Sequence, residues 1–265
     1  MVSTRTSPEK AVFVVPGGTV NMSAPSLRSV GLLAPEEEEY QLAQQFRQIK
    51  RPLIVKAVGR GGSRVPNGHI IMVTSALEGE GKTFTAVNLA MSMSLEKDVH
   101  VLLVDADVAR PQLSSLLGLS DAPGLIDVLL DSHLDVERVV LRTNIPNLSV
   151  LPAGRHSEEA TELLASVRME EVVRAIAQHD ERRLALFDSP PLLLTTESPA
   201  IAQVTGQVLM VVRAGVTPRP AVLSALSHLG AHPAVSLLLN QCSTATPATY
   251  YYNAVPDKRP ELSQR

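Results

Sequence analysis

From His69 onward, short runs of apolar residues alternate with segments that have the periodicity of helices. The apolar runs predict six strands, at residues 70–73, 101–104, 148–151, 184–187, 208–212 and 235–239. Helical periodicity between these runs is clearest over residues 82–95 and 160–178. Continuously apolar strands that alternate with helices are typical of a parallel sheet covered on both faces. The pattern therefore predicts an α/β fold.

The rest of the chain divides around this domain. Residues 1–35 mix Ser, Thr, Pro and Gly with little periodicity, so we expect a flexible N-terminal arm. The domain itself is predicted over residues 36–241. It begins with a helix from Glu36 to Lys50, which has glutamates in its first turn and ends at Pro52. Residues 242–265 are polar and contain proline, and we expect a flexible C-terminal tail.

Composition excludes several classes of protein. A formal net charge of −3 argues against a protein built to hold nucleic acid. Apolar residues make up 45% of the chain, which is enough to bury a sizeable core. The single cysteine, Cys242, rules out an internal disulfide and a cysteine-rich zinc site. No apolar run approaches the roughly 18 residues of a membrane span, so membrane contact would have to come through a partner.

The first strand leads directly into a glycine-containing loop that ends Gly79-Glu80-Gly81-Lys82-Thr83 and opens a helix. Glycines let backbone N–H groups approach phosphate oxygens, and the helix N-terminus adds a positive dipole. We therefore predict a P-loop, although Ala76 stands where the general pattern has its first glycine. Lys82 would reach the β- and γ-phosphates of ATP, and Thr83 would place its hydroxyl on Mg²⁺. The predicted ATP contacts in this segment are Glu78, Gly79, Glu80, Gly81, Lys82, Thr83 and Phe84.

Acidic residues follow two of the other strands. Asp105 and Asp107 come after the second strand, and Asp188 follows the fourth at the Walker B position. Carboxylates at the end of buried strands are costly unless they are paired or bind a metal, and Mg²⁺ prefers oxygen ligands. We predict a Mg²⁺ site formed by Thr83, Asp105 and Asp188. The last strand ends at Asn240, whose amide could read the adenine edge or simply form a turn.

Three motifs in this order resemble the bacterial tyrosine kinases, which are P-loop proteins related to Min/Par-type ATPases. They are the P-loop, the segment Asp105–Pro111, and Phe187-Asp188-Ser189-Pro190-Pro191. Four segments look like the exosortase-associated tyrosine autokinases of exopolysaccharide operons: residues 46–53, 71–76, 101–111 and 187–196. The resemblance covers roughly residues 36–241. It implies a P-loop NTPase-type parallel sheet, use of ATP and Mg²⁺, and autophosphorylation on a C-terminal tyrosine cluster, here Tyr250, Tyr251 and Tyr252.

The resemblance also implies partners and a location. Family members regulate exopolysaccharide biosynthesis and export, and they usually need a membrane-embedded polysaccharide co-polymerase as activator. We see no such domain here, so a separate activator is expected. A cognate phosphatase and a homo-oligomer are implied as well, with no nucleic acid partner. The expected location is cytoplasmic, at the inner face of the plasma membrane through the activator.

Several residues depart from the family pattern. Ala109 stands where an Arg or Lys is usual, and Glu78 where a Pro is common. The ring-forming helix of the family has Glu-x-x-Arg-x-x-Arg, for which this chain has Gln44, Arg47 and Lys50. The acid of that ion pair is therefore missing, and we expect weaker ring assembly.

Three hypotheses for function follow. The first is a tyrosine autokinase in which Lys82, Asp105 and Asp107 are catalytic, with Asp107 or Asp105 taking the proton of the acceptor phenol. The second is a Min/Par-type ATPase switch without kinase activity, although Leu77 occupies the position of the extra lysine of those ATPases. The third is a catalytically weak regulatory module that binds ATP for assembly only.

Overall fold

The computed structural model of the chain describes residues 14–15, 19–59 and 65–242. Its strands form one sheet in the order β1-β2-β5-β6-β4-β7-β3-β8-β9. The six strands from β6 to β9 in that order are parallel. They contain the six predicted strands, so this prediction is confirmed. The strands are β1 (Val14–Val15), β2 (Thr19–Val20), β3 (Ile70–Ser75), β4 (His100–Asp105), β5 (Leu141–Thr143), β6 (Leu148–Leu151), β7 (Arg183–Asp188), β8 (Gln207–Arg213) and β9 (Val235–Asn240).

Helices cover both faces of the sheet, as predicted. Successive residues of β3 face opposite layers of the core: Ile70 and Met72 join one apolar cluster, and Ile71 and Val73 join the other. Because the inner strands are buried on both sides, they consist of continuous apolar runs. The helices are α1 (Ala24–Ser29), α2 (Glu36–Val58), α3 (Lys82–Ser94), α4 (Gln112–Leu116), α5 (Leu125–Leu130), α6 (Ala160–Leu164), α7 (Val167–His179), α8 (Glu197–Val204) and α9 (Arg219–His228).

The prediction of a flexible arm through residue 35 is wrong for residues 19–35. Val20, Met22 and Leu27 are at most 1% exposed and belong to the same apolar cluster as α3. The Asn144 side chain accepts a hydrogen bond of 2.7 Å from the Met22 amide. Residues 19–35 therefore fold as part of the domain, although the spacing of their apolar residues shows no period. Residues 1–13 and 16–18 lie outside the described residues.

Two predicted helix boundaries are also wrong. Helix α2 continues through Pro52 to Val58 and ends at Gly59, which has a φ of +75°. A proline inside a helix removes one hydrogen bond, but Leu53, which follows it, is 2% exposed and packs in the core layer of α3. The helix predicted over residues 160–178 is two helices. The hydroxyl of Ser166 accepts a hydrogen bond of 3.3 Å from the Met169 amide, and this cap starts α7.

At the C-terminal end, the described chain leaves β9 at Asn240 and stops at Cys242. The predicted tail from residue 243 onward, with its three consecutive tyrosines, lies outside the described residues. Within the described ranges, no helix is both long and apolar enough to cross a membrane.

Candidate nucleotide-binding and phosphotransfer site

The P-loop connects β3 to α3 at the carboxyl edge of the sheet. Gly79 and Gly81 have φ values of +75° and +91°, which L-residues rarely adopt. A Cβ atom added to Gly81 would lie 2.2 Å from the Nδ2 atom of Asn240, so this position also requires the smallest residue. Lys82 is the first residue of α3, and the first backbone amides of a helix have no hydrogen-bond partner within it. This is the geometry expected for phosphate binding.

Lys82 and Asp107 meet in the interior of the site. The Lys82 Nζ atom lies 3.3 Å from the Asp107 Oδ2 atom, and both residues are less than a tenth exposed. Burial raises the pKa of the Asp107 carboxyl, and the charge of Lys82 opposes that shift. The structure therefore brings together two of the three residues predicted to be catalytic.

Asp105 and Asp188 lie side by side because they occupy paired positions at the ends of β4 and β7. Burial raises the pKa of Asp105 to about 7, although two hydrogen bonds from Ser114 lower it. Burial and then the charge of Asp105 raise the pKa of Asp188 to about 8. Two neighbouring buried carboxyl groups cannot both ionise easily without a cation.

The carboxyl oxygens of Asp105 and Asp188 that accept no hydrogen bond of ordinary geometry indicate whether a cation fits this site. The Oδ1 atom of Asp105 and both carboxyl oxygens of Asp188 are buried and accept no hydrogen bond of ordinary geometry. The Thr83 hydroxyl lies close enough to lower the pKa of Asp188. No group of three or more His, Cys, Asp or Glu among the described residues forms a metal site by itself. The arrangement fits Mg²⁺, which commonly uses one or two carboxylates together with phosphate oxygens and water.

Ser114 is a site residue that the sequence analysis missed. Its amide and its hydroxyl each donate a hydrogen bond of 2.7 Å to the Oδ2 atom of Asp105. The same hydroxyl accepts a bond of 3.0 Å from the Ala153 amide, beyond β6. One carboxyl oxygen of Asp105 is thus fully engaged, so only Oδ1 is left for a cation. The motif Asp-x-Asp gives no signal for a serine nine residues farther along.

Replacing Ser114 with alanine removes one of the two bonds that orient Asp105 and leaves the Ala153 amide without an acceptor. We expect about a tenfold rise in the Mg²⁺ concentration that half-saturates activity, because a hydrogen bond to a charged group contributes about 1.5–3 kcal/mol. Magnesium titrations at saturating ATP measure this effect. Ser94→Ala removes another buried hydroxyl, which bonds the Met91 carbonyl, and should leave the Mg²⁺ requirement unchanged. Equal requirements in both variants would contradict the role of Ser114.

A cleft of about 1450 Å³ opens in front of these residues. Four of the predicted site residues line it: Glu78, Gly79, Lys82 and Asp107. Residues 191–197, which follow β7, also line it. At the mouth, Arg110 forms an ion pair with Glu78, and both side chains are more than half exposed. The cleft exceeds the usual volume of a pocket for one small molecule, so it has room for a nucleotide and a second group.

Three predicted ATP contacts have their side chains directed elsewhere. The Glu80 carboxylate is 2% exposed and bonds protein amides. Phe84 packs against the core layer of α2 and α3. Asn240 donates from Nδ2 to the Glu80 carbonyl at 2.8 Å, so its side chain supports the P-loop. Asn240 lies within β9, and the positive φ that marks a turn belongs to Gln241. Contact of Phe84 with ATP, and of Asn240 with adenine, stays a prediction.

Comparison with known proteins identifies the family. The model for the AAA domain matches residues 68–216, more than half of the chain. The tyrosine-protein kinase YwqD of Bacillus subtilis is 31% identical over 189 residues, which cover 71% of this chain and 75% of YwqD. The chain belongs to the bacterial tyrosine-protein kinase family. Some relatives are longer: the tyrosine-protein kinase wzc of Salmonella typhi is 32% identical over 161 residues, but these span only 22% of its length.

Solved structures agree with this family. The kinase domain of VpsO is 26% identical, with a TM-score of 0.61 over 77% of this chain and 99% of that domain. The cell division ATPase MinD of Pyrococcus furiosus, at 23% identity, has a TM-score of 0.53 over 64% of this chain and 70% of MinD. The second likeness shows the fold alone. The predicted P-loop fold related to Min-type ATPases is therefore confirmed, and the domain is a nucleotide-binding one.

Proposed function

We propose that this tyrosine-kinase domain is an ATP- and Mg²⁺-dependent autokinase whose acceptors are Tyr250, Tyr251 and Tyr252. The observation that carries the proposal is the contact between Lys82 and Asp107 at the bottom of an open cleft. A positively charged group suited to binding phosphate therefore lies next to a carboxylate suited to accepting a proton. The cleft in front of them has volume for both a nucleotide and an acceptor side chain.

The chemistry is transfer of a phosphoryl group to a phenol. The phenol oxygen forms a bond to the γ-phosphorus while the bond from that phosphorus to the bridging oxygen of ADP breaks. Lys82 and the P-loop amides neutralise the charge that builds on the phosphates. Thr83, Asp105 and Asp188 would hold Mg²⁺, which would supply further neutralisation of the charge on the phosphates.

The proton of the phenol needs an acceptor, and the geometry favours Asp107 over Asp105. Asp107 lines the cleft, whereas Asp105 is fully buried and has one oxygen engaged by Ser114. Lys82 forms an ion pair with Asp107 at 3.3 Å. When Lys82 turns to the phosphates, the Asp107 carboxylate is released to face the acceptor. Its raised pKa makes it a better base than an exposed aspartate.

Incubation with γ-labelled ATP and Mg²⁺, followed by phosphotyrosine mapping, tests the proposal. Replacing Tyr250, Tyr251 and Tyr252 with phenylalanine keeps the rings but removes the acceptor oxygens, so labelling should fall more than tenfold while ATP binding persists. Tyr40 is the other tyrosine of the chain and is 73% exposed, so Tyr40→Phe is the matched control and should label normally. Undiminished labelling of the triple variant would exclude the tail as acceptor. ATP hydrolysis without any phosphotyrosine in the wild type would favour the Min/Par-type switch.

The family resemblance supports a role in regulating exopolysaccharide biosynthesis and export, at the inner face of the plasma membrane. There, a separate membrane-embedded co-polymerase would activate the kinase, and a cognate phosphatase would reverse its reaction. The homo-oligomer is proposed to be weaker than a family ring. Of the residues that match the ring-forming pattern, Arg47 is exposed, but Lys50 is buried. Its Nζ atom pairs with Glu96 at 2.7 Å within the same chain, so the charge of Lys50 is already engaged inside its own molecule.

A further inference from the structure

Glu80 is a buried acid that the phosphotransfer chemistry does not use. Its Oε2 atom accepts a hydrogen bond of 2.6 Å from the Leu77 amide, within the P-loop itself. Its Oε1 atom accepts from the Thr217 hydroxyl and, at 3.3 Å, from the Arg213 amide. Arg213 is the last residue of β8, and Thr217 belongs to the loop between β8 and α9. The side chain therefore points away from the phosphate-binding face and links the P-loop to a neighbouring loop.

Thr217 is itself held in place. Its hydroxyl accepts a hydrogen bond of 3.1 Å from the Arg213 amide, and its own amide donates to the Arg213 carbonyl at 3.0 Å. Since the hydroxyl already accepts from the backbone, its proton is available for Glu80. The Thr217 hydroxyl, which donates to Glu80, is therefore oriented by the hydrogen bonds of its own turn.

Side chains at the end of β9 also form hydrogen bonds with the backbone of the P-loop. The Glu80 carbonyl accepts from Asn240, and the Gly79 carbonyl accepts from the Gln241 amide group at 3.5 Å. Gly79 and Gly81 on either side of Glu80 have positive φ and are the residues with the greatest freedom in an unfolded loop. A loop of this kind would lose entropy on binding phosphate unless it is ordered beforehand.

We infer that Glu80 is a positioning residue, which acts with Thr217 to hold the P-loop in its phosphate-binding conformation before nucleotide arrives. Nucleotide affinity is then set in part by the loop between β8 and α9, which does not line the cleft. The inference rests on nucleotide binding at the P-loop, but it does not depend on which group accepts the phosphoryl. It therefore holds for a kinase and for an ATPase switch alike.

The test is the affinity for a fluorescent ADP analogue with Mg²⁺, measured at equilibrium. Thr217→Val keeps the shape of the side chain but removes its hydroxyl, and the dissociation constant should rise about tenfold, as for a lost hydrogen bond to a charged group. Thr217→Ser keeps the hydroxyl and should restore the wild-type constant. The turnover rate at saturating ATP should stay within about twofold of wild type, since the phosphate-binding conformation is still reached.

Thr205→Val is the matched control. The Thr205 hydroxyl is buried and donates to the Ala202 carbonyl at 3.1 Å, at the end of α8. Its loss should lower the melting temperature without changing the dissociation constant. Equal changes of affinity in the Thr205 and Thr217 variants, or none in either, would overturn the inference. Should Thr217→Val fail to fold, Thr217→Ala removes the same hydroxyl without placing a second methyl group against the loop.

Hydrogen exchange of residues 77–83 in the nucleotide-free protein gives an independent readout. Thr217→Val should speed the exchange of these amides at least severalfold, while Thr205→Val should not. Unchanged exchange would show that the P-loop is held without the Glu80–Thr217 contact and would contradict the inference. Because this measurement needs no nucleotide, it separates failure of the inference from failure of the proposed kinase activity.

Discussion

Lys82→Met should lower the rate of autophosphorylation by a factor of about 10³ or more, because the charge is needed in the transition state and not only for binding. The Lys82 Nζ atom is the cation that contacts Asp107 at the bottom of the cleft. Methionine keeps the length of the side chain, so the helix it starts should persist. Initial rates with labelled ATP, together with circular dichroism of the variant, measure both expectations.

The loss should be specific to this lysine. Lys56 is half-buried on α2 and donates to the Ser236 hydroxyl at 3.3 Å, remote in sequence from the P-loop. Lys56→Met therefore removes one positive charge of the same kind and should keep the wild-type rate. A folded Lys82→Met protein that labels as fast as wild type would refute the P-loop assignment.

Asp188→Asn should destroy activity while making the nucleotide-free protein more stable. The Asp188 carboxyl is fully buried, and neither of its oxygens accepts a hydrogen bond of ordinary geometry. Its ionised form is thus costly until a cation binds. Asparagine has the same shape without the charge, so the free energy of unfolding at pH 8 should rise by about 5 kcal/mol, which is about 1.4 kcal/mol for each unit by which the pKa is raised. The rate of phosphotransfer should fall by about 10² to 10³, since the carboxylate that would hold Mg²⁺ is gone.

The sign of the pH dependence follows from the raised pKa. Between the unfolded value, about 4, and the folded value, about 8, the folded state of the wild type binds more protons than the unfolded state. The stability of the nucleotide-free wild type should therefore fall as the pH rises through this window. The stability advantage of Asp188→Asn should grow over the same window and disappear near pH 4. Urea denaturation at a series of pH values without nucleotide or Mg²⁺ measures it.

Asp180 offers a control of opposite sign. Hydrogen bonds from the Arg182 amide and from His100 lower the pKa of its carboxyl, so its ionised form is the stable one. Asp180→Asn should weaken the fold at neutral pH and leave the rate of phosphotransfer unchanged. If Asp188→Asn destabilises the nucleotide-free protein at pH 8 as well, Asp188 is not an uncompensated buried charge.

The parts of the site that could be predicted are those whose chemistry is local in sequence. The P-loop follows its own strand, and Asp105 and Asp188 each follow theirs, so a parallel sheet brings them to one edge. Ser114 could not be found in this way, because its contact with Asp105 depends on the path of the chain beyond Pro111 into α4. The direction of the Glu80 side chain depends on Thr217, which is 137 residues away.

The fold shows the same division. Strong periodicity predicted the six central strands, and tertiary packing decided the features that were wrong. Helix α2 passes through Pro52 because residues on both sides of it pack in the core layer of α3. Residues 19–35 contribute buried side chains from a segment with no regular period. The local sequence pattern gives no signal for packing contacts with residues that are far away in the chain.

The contact of Gln241 with the P-loop has a consequence for kinetics. Gln241 contacts the P-loop, and the first tyrosine of the tail, Tyr250, follows Cys242 by eight residues. Eight residues span at most about 28 Å, so the first of the tyrosines proposed as acceptors is linked covalently within that distance of Cys242 in its own molecule. Covalent links of this length supply effective concentrations on the order of millimolar. A tyrosine from another molecule has to compete with that local supply, whatever the total protein concentration.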